Sequence, residues 1–228
     1  MRVYNFGAGP ATLPEAVLVE AQENCLDWQG QGMSVMEISH RSPAFMALLE
    51  ETTELMKSLL SVPDDYHVVW IGAPARFHFS AIPLNFLKRS ADYVVTGTWS
   101  ELAYKDGLKT QRARLAGSNQ EQNYLQLPQQ YDFDPDADYC FYTPNETLTG
   151  LKCEQFDKRP VHVPLIADMT SCILSEVINI KDFDMILAGS QKNLAPSGLS
   201  VVIVSAAFLE TAEQEGLGAF MSYGVHAK

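Results

Sequence analysis

Four cysteines are spread over the 228 residues, and no two form a C-x-x-C pair. With Cys25, Cys140, Cys153 and Cys172 so far apart, neither a zinc site nor a disulfide framework is expected. Cys140 and Cys172 stand in apolar runs, where a free thiol behaves as a small hydrophobe. A reducing, cytoplasmic setting is the expectation. Basic charge is also scarce: 16 Lys and Arg face 28 Asp and Glu, a formal net charge of −12. That balance argues against nucleic acid or an anionic membrane as partner, since both need a basic surface. It leaves room for a small anionic ligand held by a few local donors. No apolar run is long enough to span a bilayer. The start, MRVYNFGAGPATLPEAV, has no apolar signal core before a small-residue cleavage site, so export is not expected. The first predicted strand is not followed by G-x-G-x-x-G, which speaks against a nicotinamide dehydrogenase. Internal repeats and low-complexity tracts are absent as well.

What remains is an ordinary globular composition, 46% hydrophobic and 19% charged, with the length of one large domain or one domain plus a fragment. Up to about Val62 the pattern is helical after an irregular start. LPEAVLVEAQENCLDW and SPAFMALLEETTELMKSLLSV carry apolar residues at helical spacing. Ser42 is the expected N-cap of the second, with Pro43 as its first residue. From His67 onward short apolar runs recur: HVVWIG, DYVVTGTW, QRARLAG, DYCFYT, VPLIADMT, FDMILAGS and LSVVIV. Several are apolar on both faces, as buried parallel strands are. About seven strands separated by helical or irregular segments predict an α/β fold with a mostly parallel sheet. The last two runs are too close for a full crossover helix, so an antiparallel seventh strand is expected.

In such a sheet, ligands bind beyond the carboxyl ends of the strands. The residues placed there are Gly72 to Arg76, Thr98 to Ser100, Thr143 to Thr147, Asp168, and Gln191 with Lys192. This set suits pyridoxal phosphate, which needs a lysine amine, a carboxylate for its ring nitrogen, an aromatic face and a phosphate site at a helix N-terminus. Lys192, Asp168, Trp99 and the Ala75-Arg76 turn can fill those four roles. Taken singly, each has a plainer explanation. A lysine after a strand is usually solvated, Asp168 could cap a helix, Trp99 could be core, and His40-Arg41 could be a surface pair.

NFGAGPATLPEAVL, GMSVMEISHRS, IPLNFL, ADYVVTGTWS, YTPNETLTG, ADMTSCILS and AGSQKNLAPSGLSVVIV occur in that order. Together they resemble the phosphoserine aminotransferase family, pyridoxal-phosphate enzymes of fold type I. The resemblance runs from Asn5 to about Tyr223. It implies amino transfer between glutamate and 3-phosphohydroxypyruvate, giving phosphoserine and 2-oxoglutarate for serine and also pyridoxine biosynthesis, in a homodimer. It further implies that Lys192 bonds the cofactor and shuttles the proton, that Asp168 pairs with the ring nitrogen, and that Trp99 stacks on the ring. Thr147 would bond the phenolic oxygen, Ala75, Arg76 and Gln191 the cofactor phosphate, and His40 and Arg41 the substrate phosphate. Residues 1–14 would form a substrate-side arm and 15–228 the cofactor-binding large domain. No metal is implied.

Two departures stand out. Where the family has a glycine-rich turn this chain reads IGAPARFHFS, and Pro74 removes one backbone N–H from the expected phosphate cup. The family also continues into a C-terminal small domain, which supplies an Asn-Thr pair to the neighbouring subunit's phosphate and an arginine for the substrate carboxylate. The sequence ends at MSYGVHAK, where that domain would begin. A catalytically weak or inactive module that binds pyridoxal phosphate or dimerises is therefore the second reading. Desulfuration is a third and weaker one, since no cysteine sits in an obvious mobile loop.

Overall fold

The structure, a computed structural model, describes residues 2–153, 156, 158–213 and 215–228. Two helices come first, α1 (Glu15–Glu23) and α2 (Pro43–Leu60). The Ser42 hydroxyl accepts from the Phe45 N–H at 3.2 Å, and Pro43 takes the first helical position, where no N–H is needed. Met56 and Leu60 turn inward from α2, whereas α1 buries none of its side chains. Similar apolar spacing therefore has two outcomes, because only α2 lies against the sheet.

Among the described residues the sheet has seven strands, as expected. In chain order they are β1 (Tyr66–Ile71), β2 (Ala91–Val95), β3 (Ala113–Ser118), β4 (Tyr139–Tyr142), β5 (Leu165–Asp168), β6 (Met185–Gly189) and β7 (Ser200–Ser205). Helix α3 (Ala75–Phe86) links β1 to β2, and α4 (Thr98–Leu108) links β2 to β3. The spatial order is β1-β7-β6-β5-β4-β2-β3. β7 runs antiparallel to both of its neighbours and the other pairings are parallel, so six strands share one direction. The short link between β6 and β7 cannot hold a crossover helix, which fixes that reversal. In the link, Gly198 adopts φ +134°, a conformation that disfavours side chains.

Both faces of the sheet are covered, which is why its strands read as continuous apolar runs. Along β4, Tyr139 and Phe141 join Tyr93, Phe79 and Ala103 on the α3 and α4 side, while Cys140 and Tyr142 join the α2 side. The Tyr93 and Tyr139 hydroxyls satisfy each other at 2.7 Å. After β7 come the short α5 (Ala206–Leu209) and α6 (Tyr223–His226), which pack on the α3 side. His78 of α3 is fully buried there, with Nδ1 2.7 Å from the Tyr223 hydroxyl and Nε2 2.7 Å from the Ser200 hydroxyl. Among the described residues no helix is long and apolar enough to cross a membrane, and no side-chain cluster could hold a metal ion.

Candidate active site

The carboxyl ends of β1, β2, β4, β5 and β6 open on one rim, and a cavity of about 280 Å³ lies there. The chain reverses its direction of travel across the sheet between β2 and β4, the kind of switch point where such sheets bind ligands. Ala75, Arg76, Trp99, Thr147, Asp168, Gln191 and Lys192 all line this cavity. Five separate segments of sequence thus converge on one space.

Lys192 lies in the β6–β7 link. Its Nζ donates to the Thr147 hydroxyl and sits 5.8 Å from the centre of the Trp99 ring. Burial pushes its pKa below the usual ammonium range, against the opposing pull of the nearby Asp168 and Glu146 charges. Its aliphatic stem runs beneath Gly9, where a Cβ would come within 3.1 Å of Lys192 Cγ. The Ala11 N–H bonds the Gln191 carbonyl at 2.8 Å, so the N-terminal arm is laid over this link.

Asp168 ends β5 and is 4% exposed. Its Oδ1 accepts from the Thr170 N–H at 3.0 Å and from the Thr170 hydroxyl at 2.5 Å. The plainer explanation, a local backbone cap, is therefore true of one oxygen. Oδ2 takes no hydrogen bond among the described residues. Burial raises the Asp168 pKa above the usual carboxylate range, and the Thr170 bonds pull it down. The Thr170 hydroxyl also accepts from the Gly189 N–H at 3.1 Å, which joins the ends of β5 and β6.

Helix α3 begins at the rim with Pro74 in the N-cap position at φ −70°. Proline fits that angle without strain, and the missing N–H belongs to the residue before the helix. The N–H groups of Ala75 and Arg76 stand in the first turn, where no helical carbonyl can reach them. His40 and Arg41 lie elsewhere. Both are exposed in the loop before α2, and neither lines the cavity.

Several residues of the site were not assigned from sequence. Thr170, Ser171 and Phe79 line the cavity, and Thr143, placed at the rim by sequence but given no role, does so with its buried hydroxyl unpartnered among the described residues. The D-x-T spacing of Asp168 and Thr170 is the one local signal that could have found the first of these.

A half-buried amine, a carboxylate with one oxygen free of hydrogen bonds among the described residues, an aromatic face and a helix N-terminus thus meet on the rim of a sheet with the fold of a fold type I transferase large domain. The Aminotransferase class-V family matches residues 3–227, and the chain belongs to that family. It is similar to the curated phosphoserine aminotransferase of Legionella pneumophila (strain Philadelphia 1), 41% identical over 230 residues that cover 99% of this chain and 63% of the relative. The phosphoserine aminotransferase of Chromobacterium violaceum is 40% identical over 230 residues, again covering 99% and 63%. Among solved structures, phosphoserine aminotransferase from Bacillus circulans subsp. alkalophilus matches with a TM-score of 0.91 and 39% identity, over 98% of this chain and 63% of that one. Phosphoserine aminotransferase from Trichomonas vaginalis with bound PLP matches with a TM-score of 0.92 and 35% identity, over 98% and 64%. The chain spans a little under two thirds of the length of these relatives.

The cavity's own chemistry fits pyridoxal phosphate. Among the described residues Asp168 Oδ2 takes no hydrogen bond and the buried Thr143 hydroxyl has no partner, and a partly desolvated lysine amine lies 5.8 Å from the centre of an indole ring in the same cavity.

Proposed function

We propose that this chain binds pyridoxal 5′-phosphate and forms the cofactor-binding part of a phosphoserine transaminase. The reaction is reversible amino transfer between glutamate and 3-phosphohydroxypyruvate, giving O-phosphoserine and 2-oxoglutarate. The observation that carries this reading is the meeting of Lys192, Asp168 and Trp99 in one cavity at the carboxyl rim.

When bound, the cofactor supplies an electrophilic carbonyl carbon and a ring that takes up the electron pair released at the substrate carbon. Lys192 supplies the amine that bonds it, and burial favours the neutral, nucleophilic form. The same Nζ is the group to move a proton at the substrate α-carbon. Asp168 Oδ2 would hold a proton on the ring nitrogen while Thr170 fixes Oδ1. Trp99 offers the ring a flat apolar face, and Thr147 a hydroxyl for its phenolic oxygen. The N–H groups of Ala75 and Arg76, with the Gln191 amide, would take the phosphate at the start of α3. His40 and Arg41 suit a substrate phosphate by charge, but they lie outside this chain's own cavity. That role therefore belongs to a second copy in a homodimer, part of the same reading. Serine and pyridoxine biosynthesis in the cytoplasm are the setting that it implies.

Titration of the protein with pyridoxal phosphate, followed by borohydride reduction and peptide mapping, tests the binding. A visible absorption band and a label on Lys192 are expected. Transamination assayed with glutamate and 3-phosphohydroxypyruvate tests the activity. Absence of the band, or a label on another lysine, overturns the assignment.

A further inference from the structure

Glu146 is 1% exposed, and no basic side chain forms an ion pair with it among the described residues. A buried carboxylate is costly unless its lone pairs are taken by donors. Here they are taken at the first turn of α4. Glu146 Oε2 accepts from the Trp99 N–H at 3.1 Å, and Oε1 from the Ser100 N–H at 2.9 Å and the Ser100 hydroxyl at 2.5 Å. The Ser100 hydroxyl in turn accepts from the N–H groups of Thr96 and Gly97, so the whole β2–α4 turn is tied to one carboxylate. The positive end of the helix dipole favours the charge there.

Two features separate this from an ordinary cap. The residue in the N-cap position is Gly97, whose φ of 173° is extended backbone open to any residue. A Cβ at Gly97 would lie 2.5 Å from both Cγ and Cδ of Glu146, so glycine there makes room for the carboxylate. A serine or aspartate at that position could have capped α4 locally. Instead the capping group comes from the segment after β4, whose next residue, Thr147, accepts the hydrogen bond from Lys192. The preceding residue, Asn145, is bonded through its side-chain amide to Ser171 after β5 at 2.8 Å. Three successive residues thus reach the ends of three different strands.

We infer that Glu146 is a positioning residue that holds Trp99 in place over the cavity and links the indole to Thr147 and Lys192. What Trp99 stacks on rests on the function proposed above, whereas the clamp itself does not. Expected effects follow from loss of the acceptor. In Glu146→Gln one carboxylate oxygen becomes an N–H₂ donor facing an N–H group, so part of the clamp opens. Gly97→Ala should displace the unaltered Glu146 and act in the same direction.

The test uses the full chain with Trp28→Phe and Trp70→Phe, so that Trp99 is the sole tryptophan. Acrylamide quenching of its fluorescence is measured without cofactor, and the dissociation constant of pyridoxal phosphate from the visible band. Glu146→Gln and Gly97→Ala should both raise the quenching constant and weaken cofactor binding about tenfold. Glu146→Asp, which keeps the charge with a shorter reach, should fall between them and the parent. Ser42→Ala removes the cap of the remote α2 and should lower the melting temperature without moving either readout. Parent-like quenching and affinity in the folded Gln, Asp or Ala variants, or an equal shift in Ser42→Ala, would overturn the inference. If the parent binds no cofactor, the proposed function fails, and the quenching comparison still decides the role of Glu146.

Discussion

The two ends of the sheet use the same residue types in opposite ways. At the amino ends, carboxylates are spent on the fold. Asp138, just before β4, accepts from the Lys88 and Arg89 N–H groups at 2.7 and 2.6 Å. Asp184, just before β6, accepts from the Leu165 N–H at 2.8 Å. Asp92, near the start of β2, pairs with Arg114 at 2.8 Å and accepts from the Asp134 N–H at 2.7 Å. At the carboxyl ends the groups are held but left partly open: one Asp168 oxygen, the Thr143 hydroxyl and the Trp99 indole N–H lack partners among the described residues. A buried polar group without a partner is a cost to folding. Asn119, Tyr124 and Arg159 also bury an unpartnered atom among the described residues, but only at the cavity do such groups stand beside a desolvated lysine and a carboxylate, as a site shaped for a ligand would hold them.

The largest expected effect tests that contrast directly. Lys192→Ala should abolish the cofactor band and the borohydride label, because among the described residues no other lysine lines the cavity. The melting temperature of the apo protein should stay the same or rise, since a desolvated amine is removed. A folded variant that keeps the band would break the assignment of this rim as the site.

Next comes a pair of aspartates, one from each end. Asp168→Asn should cost about 1.5–3 kcal/mol of cofactor binding, the worth of a hydrogen bond to a charged group. The apo protein should not suffer. A carboxylate whose folded pKa is raised binds more protons folded than unfolded just above the usual carboxylate range. Its stability contribution therefore falls as pH rises through that window, and replacing it with a neutral amide removes the penalty. Asp138→Ala should do the reverse, losing about 1–3 kcal/mol of stability with two hydrogen bonds, whose N–H groups turn to water, while leaving cofactor affinity intact. Chemical denaturation and cofactor titration of both variants measure the crossing. Two variants with the same profile would erase the distinction between the ends.

How much of this was legible in the sequence depended on distance along the chain. The seven apolar runs, the reversed β7 and the Ser42-Pro43 helix start are local patterns, and each was readable. That Asp168, Lys192 and Trp99 would share one rim was readable because each stands at, or within four residues of, the carboxyl end of a strand. Glu146 stands in an equally legible place after β4, but its partners are some 46 residues away and nothing local announces them. Periodicity likewise could not tell α1 from α2, since it reports which face is apolar and not what covers it. The spatial order of the strands, with β1 at one edge and β3 at the other, was also beyond reach.

His78 sharpens the comparison further. It lies one turn into α3, near the open rim, yet both of its nitrogens are partnered as the amino-end groups are. Burial lowers its pKa to about 3. The unfolded chain takes up a proton below about pH 6.5 while the folded chain does not, so stability should fall as pH drops from 6.5 towards 3. The loss is about 1.4 kcal/mol per pH unit, or about 2 kcal/mol by pH 5. Denaturation at pH 7 and pH 5 on wild type and His78→Gln measures it. The variant should start less stable and lose less on acidification. Equal acid sensitivity in both would mean that other groups carry the effect.

The smallest effect belongs to a cap that serves neither end of the sheet. Ser42 accepts one N–H at the start of α2, from Phe45, and α2 contributes only Met56 and Leu60 to the buried core. Ser42→Ala leaves that N–H to water, at about 1 kcal/mol of stability. Because the loss is confined to the face opposite α3 and α4, cofactor affinity should not change. The contrast with Glu146 is then quantitative: two caps of similar worth to their helices, of which only the one drawn from the loop beside Lys192 alters binding. Thermal melts and cofactor titrations of Ser42→Ala and Glu146→Gln, run together, give both numbers. A cofactor effect in Ser42→Ala as large as in Glu146→Gln would mean that any loss of stability loosens the cavity. The carboxyl-end network would then have no special hold on it.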